Sequence, residues 1–159
     1  SWCIFRDHVK AMYVGASDDA TGDAGALRVT FHHNRFSGVR PVALSIRFGR
    51  AHLFNNLFEN PPAGEDPEGT AISARMGACV RVEHNVFSGI ASPTITDGSG
   101  STLDTLGAVD LLGNDFGDYA TLADTPTCTL VPPYPYLDVR NAAADVPAIL
   151  AGAGPSELF

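Results

Sequence analysis

The chain has 159 residues, 45% of them hydrophobic and 18% charged, with 16 Gly and 11 Pro; this is enough for one domain with a buried core and is not a disordered composition. A formal net charge of −8 argues against a nucleic-acid partner, whose phosphates require a basic face, and disfavours any polyanion unless a local basic cluster or a bound cation offsets it. No apolar run reaches membrane-spanning length, and no membrane partner is expected.

The opening residues, SWCIFRDH, read as a strand and the turn after it. A mature protein seldom starts there, so the chain is expected to be the C-terminal part of a longer one. Short alternating β-rich runs lie at Leu27–Phe31, Leu44–Phe48, Cys79–Glu83 and Ala108–Leu112. An Asn-x-Phe tripeptide recurs beside them, at Asn34, Asn56, Asn85 and Asn114, and Cys3-Ile4-Phe5 fits the same slot. The intervals of 22, 29 and 29 residues between these asparagines suit a parallel β-helix, in which one coil of short strands stacks ~4.8 Å from the next. A buried Asn ladder would then satisfy its own amides, with a Phe stack filling the core beside it. A β-sandwich with similar turns is the alternative.

The longer intervals place acidic or polar loops at Asp18–Ala26, Pro61–Gly69 and Ser92–Thr105; on a solenoid such loops border one face. After Asp118 the pattern fails. Leu130–Tyr136 (LVPPYPY) reads as extended, and Asn141–Ala151 as one short helix interrupted by Pro147. The division is therefore into β-helix rungs over residues 1–118 and a tail over 119–159 that lies on the helix or caps its end. An open solenoid end would leave unpaired strand edges and favour aggregation of the chain alone.

Three cysteines, Cys3, Cys79 and Cys128, contain no CxxC, so no zinc site is expected. They read as ordinary buried or structural cysteines; one disulfide is open, with its pairing unreadable. His32 and His33 are adjacent and in a strand face opposite ways, a poor geometry for one metal ion. His52 and His84 occupy related slots near the Asn ladder and read as structural. Asp18, Asp19 and Asp23 carry carboxylates suited to calcium but lack EF-hand spacing, and the plainer reading is a solvated loop. Arg47 alternates with Ile46 and Phe48, so it faces solvent if they face the core. Arg40 precedes Pro41 and is expected to be extended. Stacking could bring Lys10 together with one or more of these arginines, and such a cluster suits carboxylates, which arginine binds bidentately. The plainer alternative is a few solvated surface charges. No GxSxG, HExxH or P-loop is present.

Taken together, HVKAMYVGASDD, VTFHHNRFSG, IRFGRAHLFNN, AISARMGACVRVEHNVF, PPYPYLDV and AGAG resemble pectate lyases of polysaccharide lyase family 1. SARMGACVRVEHNVFSG and GNDFGDY are closest to the fungal and actinobacterial branch. The resemblance covers nearly the whole chain, in order. It implies an all-β, right-handed parallel β-helix (a single-stranded solenoid), of which this chain would be the C-terminal rungs. It also implies secretion, a monomer when full length, and calcium-dependent β-elimination of polygalacturonate with an arginine as base. Lys10 matches the family's substrate-binding lysine, and Arg47 its carboxylate-binding arginine. The family's catalytic arginine, eight residues after the Asn of HHN, is Val42 here, and the proline two further on is Leu44. Arg40, two residues before Val42 and so on the same strand face by pleat alternation, roughly 7 Å away, is the nearest substitute base. The calcium aspartates are expected upstream, so no metal ligand is assigned in this chain. Two further readings stay open. One is a carbohydrate-binding, catalytically impaired relative, suggested by Val42. The other is a pectin lyase, whose aromatic-rich cleft has only Trp2 to draw on.

Overall fold

A computed structural model of the chain describes residues 1–60, 69–95, 105–117, 126–136 and 142–155. The strands β1(Ile4–Arg6), β2(Met12–Val14) and β3(Arg28–His32) make the first coil. The second is β4(Arg35–Ser37), β5(Val42–Arg47) and β6(Arg50–Phe54); the third is β7(Leu57–Glu59), β8(Thr70–Arg75) and β9(Cys79–Glu83). The last is β10(Val86–Ser88), β11(Ser92–Ile95) and β12(Ala108–Leu112). Every third strand pairs in parallel, giving sheet A (β1-β4-β7-β10), sheet B (β2-β5-β8-β11) and sheet C (β3-β6-β9-β12). This is the parallel β-helix that the repeat spacing predicts.

The corner between sheets C and A is set by single residues. His33, Asn55, His84 and Gly113 each have a positive φ near +50 to +60° and directly precede a ladder asparagine. That left-handed conformation turns the chain sharply and is commoner for Asn, His and Gly than for branched residues. Behind it the asparagines stack. Asn56 Oδ1 accepts from Asn34 N and Nδ2, both at 3.0 Å, and Asn85 Oδ1 from Asn56 N and Nδ2 at 2.9 Å. Asn114 Oδ1 accepts from Asn85 N and Nδ2, and Cys3 N donates to Asn34 Oδ1. Amide donors and acceptors are thus paired although Asn34, Asn56 and Asn85 are essentially fully buried. Two residues on, Phe5, Phe36, Phe58, Phe87 and Phe116 stack with centroids 4.8, 4.7, 5.0 and 5.3 Å apart, each ring in offset contact with the next.

Several elements differ from expectation. The Asn-x-Phe segments are themselves strands, too short for alternation to reveal. Leu44–Phe48 begins earlier and ends at Arg47, because Phe48 has φ +59°. Ser92–Ile95 is β11 and not the start of a loop. The acidic stretch after β2 contains a 3₁₀ turn, Thr21–Asp23. Most of the other two loops, residues 61–68 and 96–104, and the 118/119 division lie outside the described residues.

Beyond β12 the chain adds one bridge to sheet C, Val109 to Thr127, then crosses the outward face of that sheet. A disulfide joins Cys79 to Cys128. Cys3 is free and exposed; Cys79 and Cys128 are structural, as disulfide partners, but not buried, because Cys79 lies on an outward position of sheet C that the tail can reach. The helix α1(Ala142–Gly152) packs against β10, and just past its end Gly154 N donates to Trp2 O at 2.9 Å. Pro147 does not interrupt it. Six residues into the helix, its missing N–H removes a single intrahelical bond. No described helix is long and apolar enough to cross a membrane.

Candidate functional site

In β5, Leu44 and Ile46 are fully buried, so Ser45 and Arg47 point out of the coil on sheet B. Register then places Tyr13, Ser45 and Ser73 in one outward column and Arg47 beside Arg75 in the next. Like charges directly opposite in a sheet destabilise it. Asp18, in the loop after β2, offsets this: Arg47 Nε donates to Asp18 Oδ1 and Arg75 Nη2 to Oδ2 at 3.0 Å. Gly15 (φ +98°) makes room for Arg47, since a Cβ there would stand 2.9 Å from Arg47 Cβ. The Arg47 guanidinium carbon lies 5.3 Å from the Tyr13 ring centroid and Lys10 Nζ 6.0 Å from it, within or at the limit of cation–π range. Tyr13 is 48% exposed. A lysine, two arginines and an aromatic face thus share one strip, with the two arginines held by one carboxylate. The arrangement suits an anionic ligand with an apolar ring face.

Of the basic residues that stacking could bring together, Lys10 and Arg47 both lie against the Tyr13 ring. Arg47 points away from the core yet is not solvated; its side chain is 13% exposed and ion-paired. Arg40 lies ahead of β5, its peptide bond to Pro41 is cis, and its N–H donates to His8 O at 3.2 Å. The strand does not reach it, so alternation places it on no face of β5. Val42 pairs with Thr70 and shares the inward parity of Leu44 and Ile46. Sequence reasoning missed Tyr13, Asp18 and Arg75 at this site. Arg75 was findable, one coil of 28 residues after Arg47; Asp18 reaches in from a loop and carries no periodic signal.

The histidines are arranged differently from expectation. His33, in its left-handed turn, breaks the alternation, and His32 Nδ1 lies 3.0 Å from His33 Nδ1. His52 is mid-strand in β6 whereas His84 is a turn residue, so they occupy unrelated slots. His52 is 3% exposed, and its Nδ1 is 2.7 Å from Tyr134 Oη, which is also 2.6 Å from Thr30 Oγ1. Burial holds the His52 imidazole below its usual pKa, against the pull of Glu83; burial and then His33 do the same to His32. Tyr136 Oη donates to Glu83 Oε2 at 3.3 Å, and burial and that carboxylate push the phenol up.

Among the described residues no group of three or more His, Cys, Asp or Glu is placed to hold a metal ion. The Asp18, Asp19 and Asp23 carboxylates diverge, toward the arginines, toward Ser17 Oγ and toward Ala16 N respectively.

A family model described as pectate lyase matches residues 1–155. The chain belongs to the pectate lyase family. It is 37% identical over 158 residues to a probable pectate lyase A of Neosartorya fischeri, covering 99% of this chain and 44% of that protein. It is 33% identical over 156 residues to a pectate trisaccharide-lyase of Bacillus licheniformis, covering 97% and 42%. A solved pectate lyase of Bacillus sp. N165, in complex with trigalacturonate, superposes with a TM-score of 0.73 at 32% identity, over 96% of this chain and 47% of that one. A pectate lyase variant from Xanthomonas campestris gives 0.75 at 30% identity, over 97% and 48%. The chain thus spans less than half the length of the relatives it matches.

Proposed function

We propose that the outward face of sheet B is the substrate-binding face of a lyase that cleaves polygalacturonate by β-elimination. The convergence of Lys10 and Arg47 on the Tyr13 ring carries this reading, since these two residues match the family's substrate-binding pair. Lys10 and Arg47 take uronate carboxylates, Asp18 keeps the Arg47 guanidinium oriented, and Tyr13 offers its ring to a sugar face. In the elimination a base removes the C5 proton, the C5–H electron pair forms the C4–C5 double bond, and the C4–O4 bond breaks with O4 taking up a proton. Arg40 is the proposed base. A guanidino group takes up a proton as a base only in its neutral form. The described residues form no set that fits the calcium expected of the family, and no step assigned here runs through calcium. Secretion is part of the proposal; the Cys79–Cys128 disulfide suits an oxidising compartment.

Val42 favours a second reading, a uronate-binding relative without the base: the family's arginine position holds an aliphatic side chain with core-facing parity. The pectin lyase reading draws less support, as Trp2 stacks on His33 at 4.6 Å and not on sheet B. The experiment is release of unsaturated uronide from polygalacturonate and from methylated pectin, with calcium and with EDTA. Calcium-dependent product that Arg40→Ala abolishes supports the first reading. Trigalacturonate binding without product, and product restored by Val42→Arg, supports the second.

A further inference from the structure

Arg28 and Arg50 head β3 and β6 and are direct register partners in sheet C, about 4.8 Å apart along the backbone. This repeats the unfavourable juxtaposition of Arg47 and Arg75, with one difference. Arg47 and Arg75 share Asp18, and Arg81 is bonded to Glu83 and Asp110. Arg28 and Arg50 have no carboxylate at ion-pair distance among the described residues. Both are exposed.

The two arginines edge a cleft of about 270 Å³ between sheet C and the tail, lined also by Thr30, His52, Pro132 and Tyr134. The next residue in the arginine column is Cys79, the register partner of Arg50, and its disulfide to Cys128 ties the tail wall in place. Tyr134 is fixed from below by Thr30 and His52. The cleft therefore has a doubly cationic edge, a hydroxyl and imidazole floor and a wall of proline and tyrosine. Its volume lies just under the range of drug-sized pockets, ~300–1,000 Å³, and suits one sugar unit.

We infer that this cleft is a second saccharide site, on a different sheet from the Lys10–Arg47 face, that takes a uronate: the carboxylate on Arg28 and Arg50, the ring's C–H face against Pro132 and Tyr134. The missing counter-charge at two facing arginines is supplied by the ligand, and two sites on one molecule raise avidity for a long polyanion. The choice of uronate rests on the polygalacturonate reading above; the arginine pair and the cleft do not.

The test is NMR titration of the ¹⁵N-labelled protein with trigalacturonate, following the amides of Thr30, His52 and Val131 for the cleft and of Tyr13 and Arg47 for sheet B. Both sets are expected to shift. In the exposed double variant Arg28→Gln/Arg50→Gln the cleft shifts should vanish or need at least about tenfold more ligand, while the sheet B shifts and the rest of the spectrum stay unchanged. The inference is overturned if the cleft amides do not respond while sheet B does, or if their response survives the double variant. It is also overturned if neutral trigalactose or inorganic phosphate moves them equally. Cleft shifts without sheet B shifts would instead retire the sheet B reading and leave the cleft standing.

Discussion

His52 shows how one buried side chain sets a pH response. Its Nδ1 is bonded to Tyr134, and its Nε2 is 3.6 Å from Glu83 Oε1, too long for a hydrogen bond. Thr30, Arg81 and Tyr136 pack around the same group, and burial outweighs the carboxylate. The folded pKa therefore lies below the unfolded value of 6.5. The stabilisation from neutral His52 is fully present above that unfolded value and is lost as pH falls through the folded one. His32, shifted in the same direction, adds to the effect. The urea midpoint is expected to fall between about pH 7.5 and pH 5, and less steeply in His52→Gln. A flat profile, or equal slopes, would contradict this.

The Asn ladder and the Phe stack stabilise by different physics, and their truncation should differ accordingly. Phe58, 1% exposed, contacts rings on both sides, and Phe58→Ala should cost about 3–5 kcal/mol through lost burial and a cavity. Asn56→Ala removes no comparable apolar volume. It orphans the Asn34 N–H and side-chain amide and takes the Nδ2 donor from the carbonyls of Phe31 and Phe54, while Asn85 Oδ1 keeps the Asn56 backbone N–H, at about 1–3 kcal/mol for each group left buried and unpaired. Asn56→Ala should therefore be at least as damaging as Phe58→Ala, and Asn114→Ala, at the less buried end of the ladder, milder than both. Urea unfolding of the three variants tests the order. Both elements were legible in the sequence because a stacked coil repeats the same residue at the same position. The strands carrying the phenylalanines were not, since three residues are too few for a period of two to show.

At the scale of the whole molecule, the tail is held on sheet C by one covalent link and by tyrosines. The disulfide spans 49 residues, for which the chain-entropy account gives about 4 kcal/mol, with about 2–5 usual for a native bridge. Cys79→Ser/Cys128→Ser should lose stability of that order in guanidinium unfolding. The variant should also open the cleft beside Arg50, read as loss of the Thr30 and Val131 responses to trigalacturonate. A loss below about 1 kcal/mol would mean that Tyr134 and Tyr136 suffice to hold the tail. The charge distribution belongs to this scale too. A molecule of net charge −8 gathers Lys10, Arg47 and Arg75 on one sheet and Arg28 and Arg50 on another, so a polyanion meets local cationic strips within an acidic surface.

The sequence alone determined the β-helix and its asparagine and phenylalanine columns. Each follows from periodicity, because a coil of nearly constant length stacks equivalent residues. Tertiary structure decided the rest. Asp18 bridges Arg47 and Arg75 from a loop, 57 residues before the latter. His33 turns to face His32 because its backbone is left-handed. Cys79 meets Cys128, and Tyr134 meets Thr30 across 104 residues. No local pattern encodes such contacts. They depend on where a non-repeating loop or tail lands on an already formed sheet, which is set by packing over the whole coil and not by the spacing of residues along it.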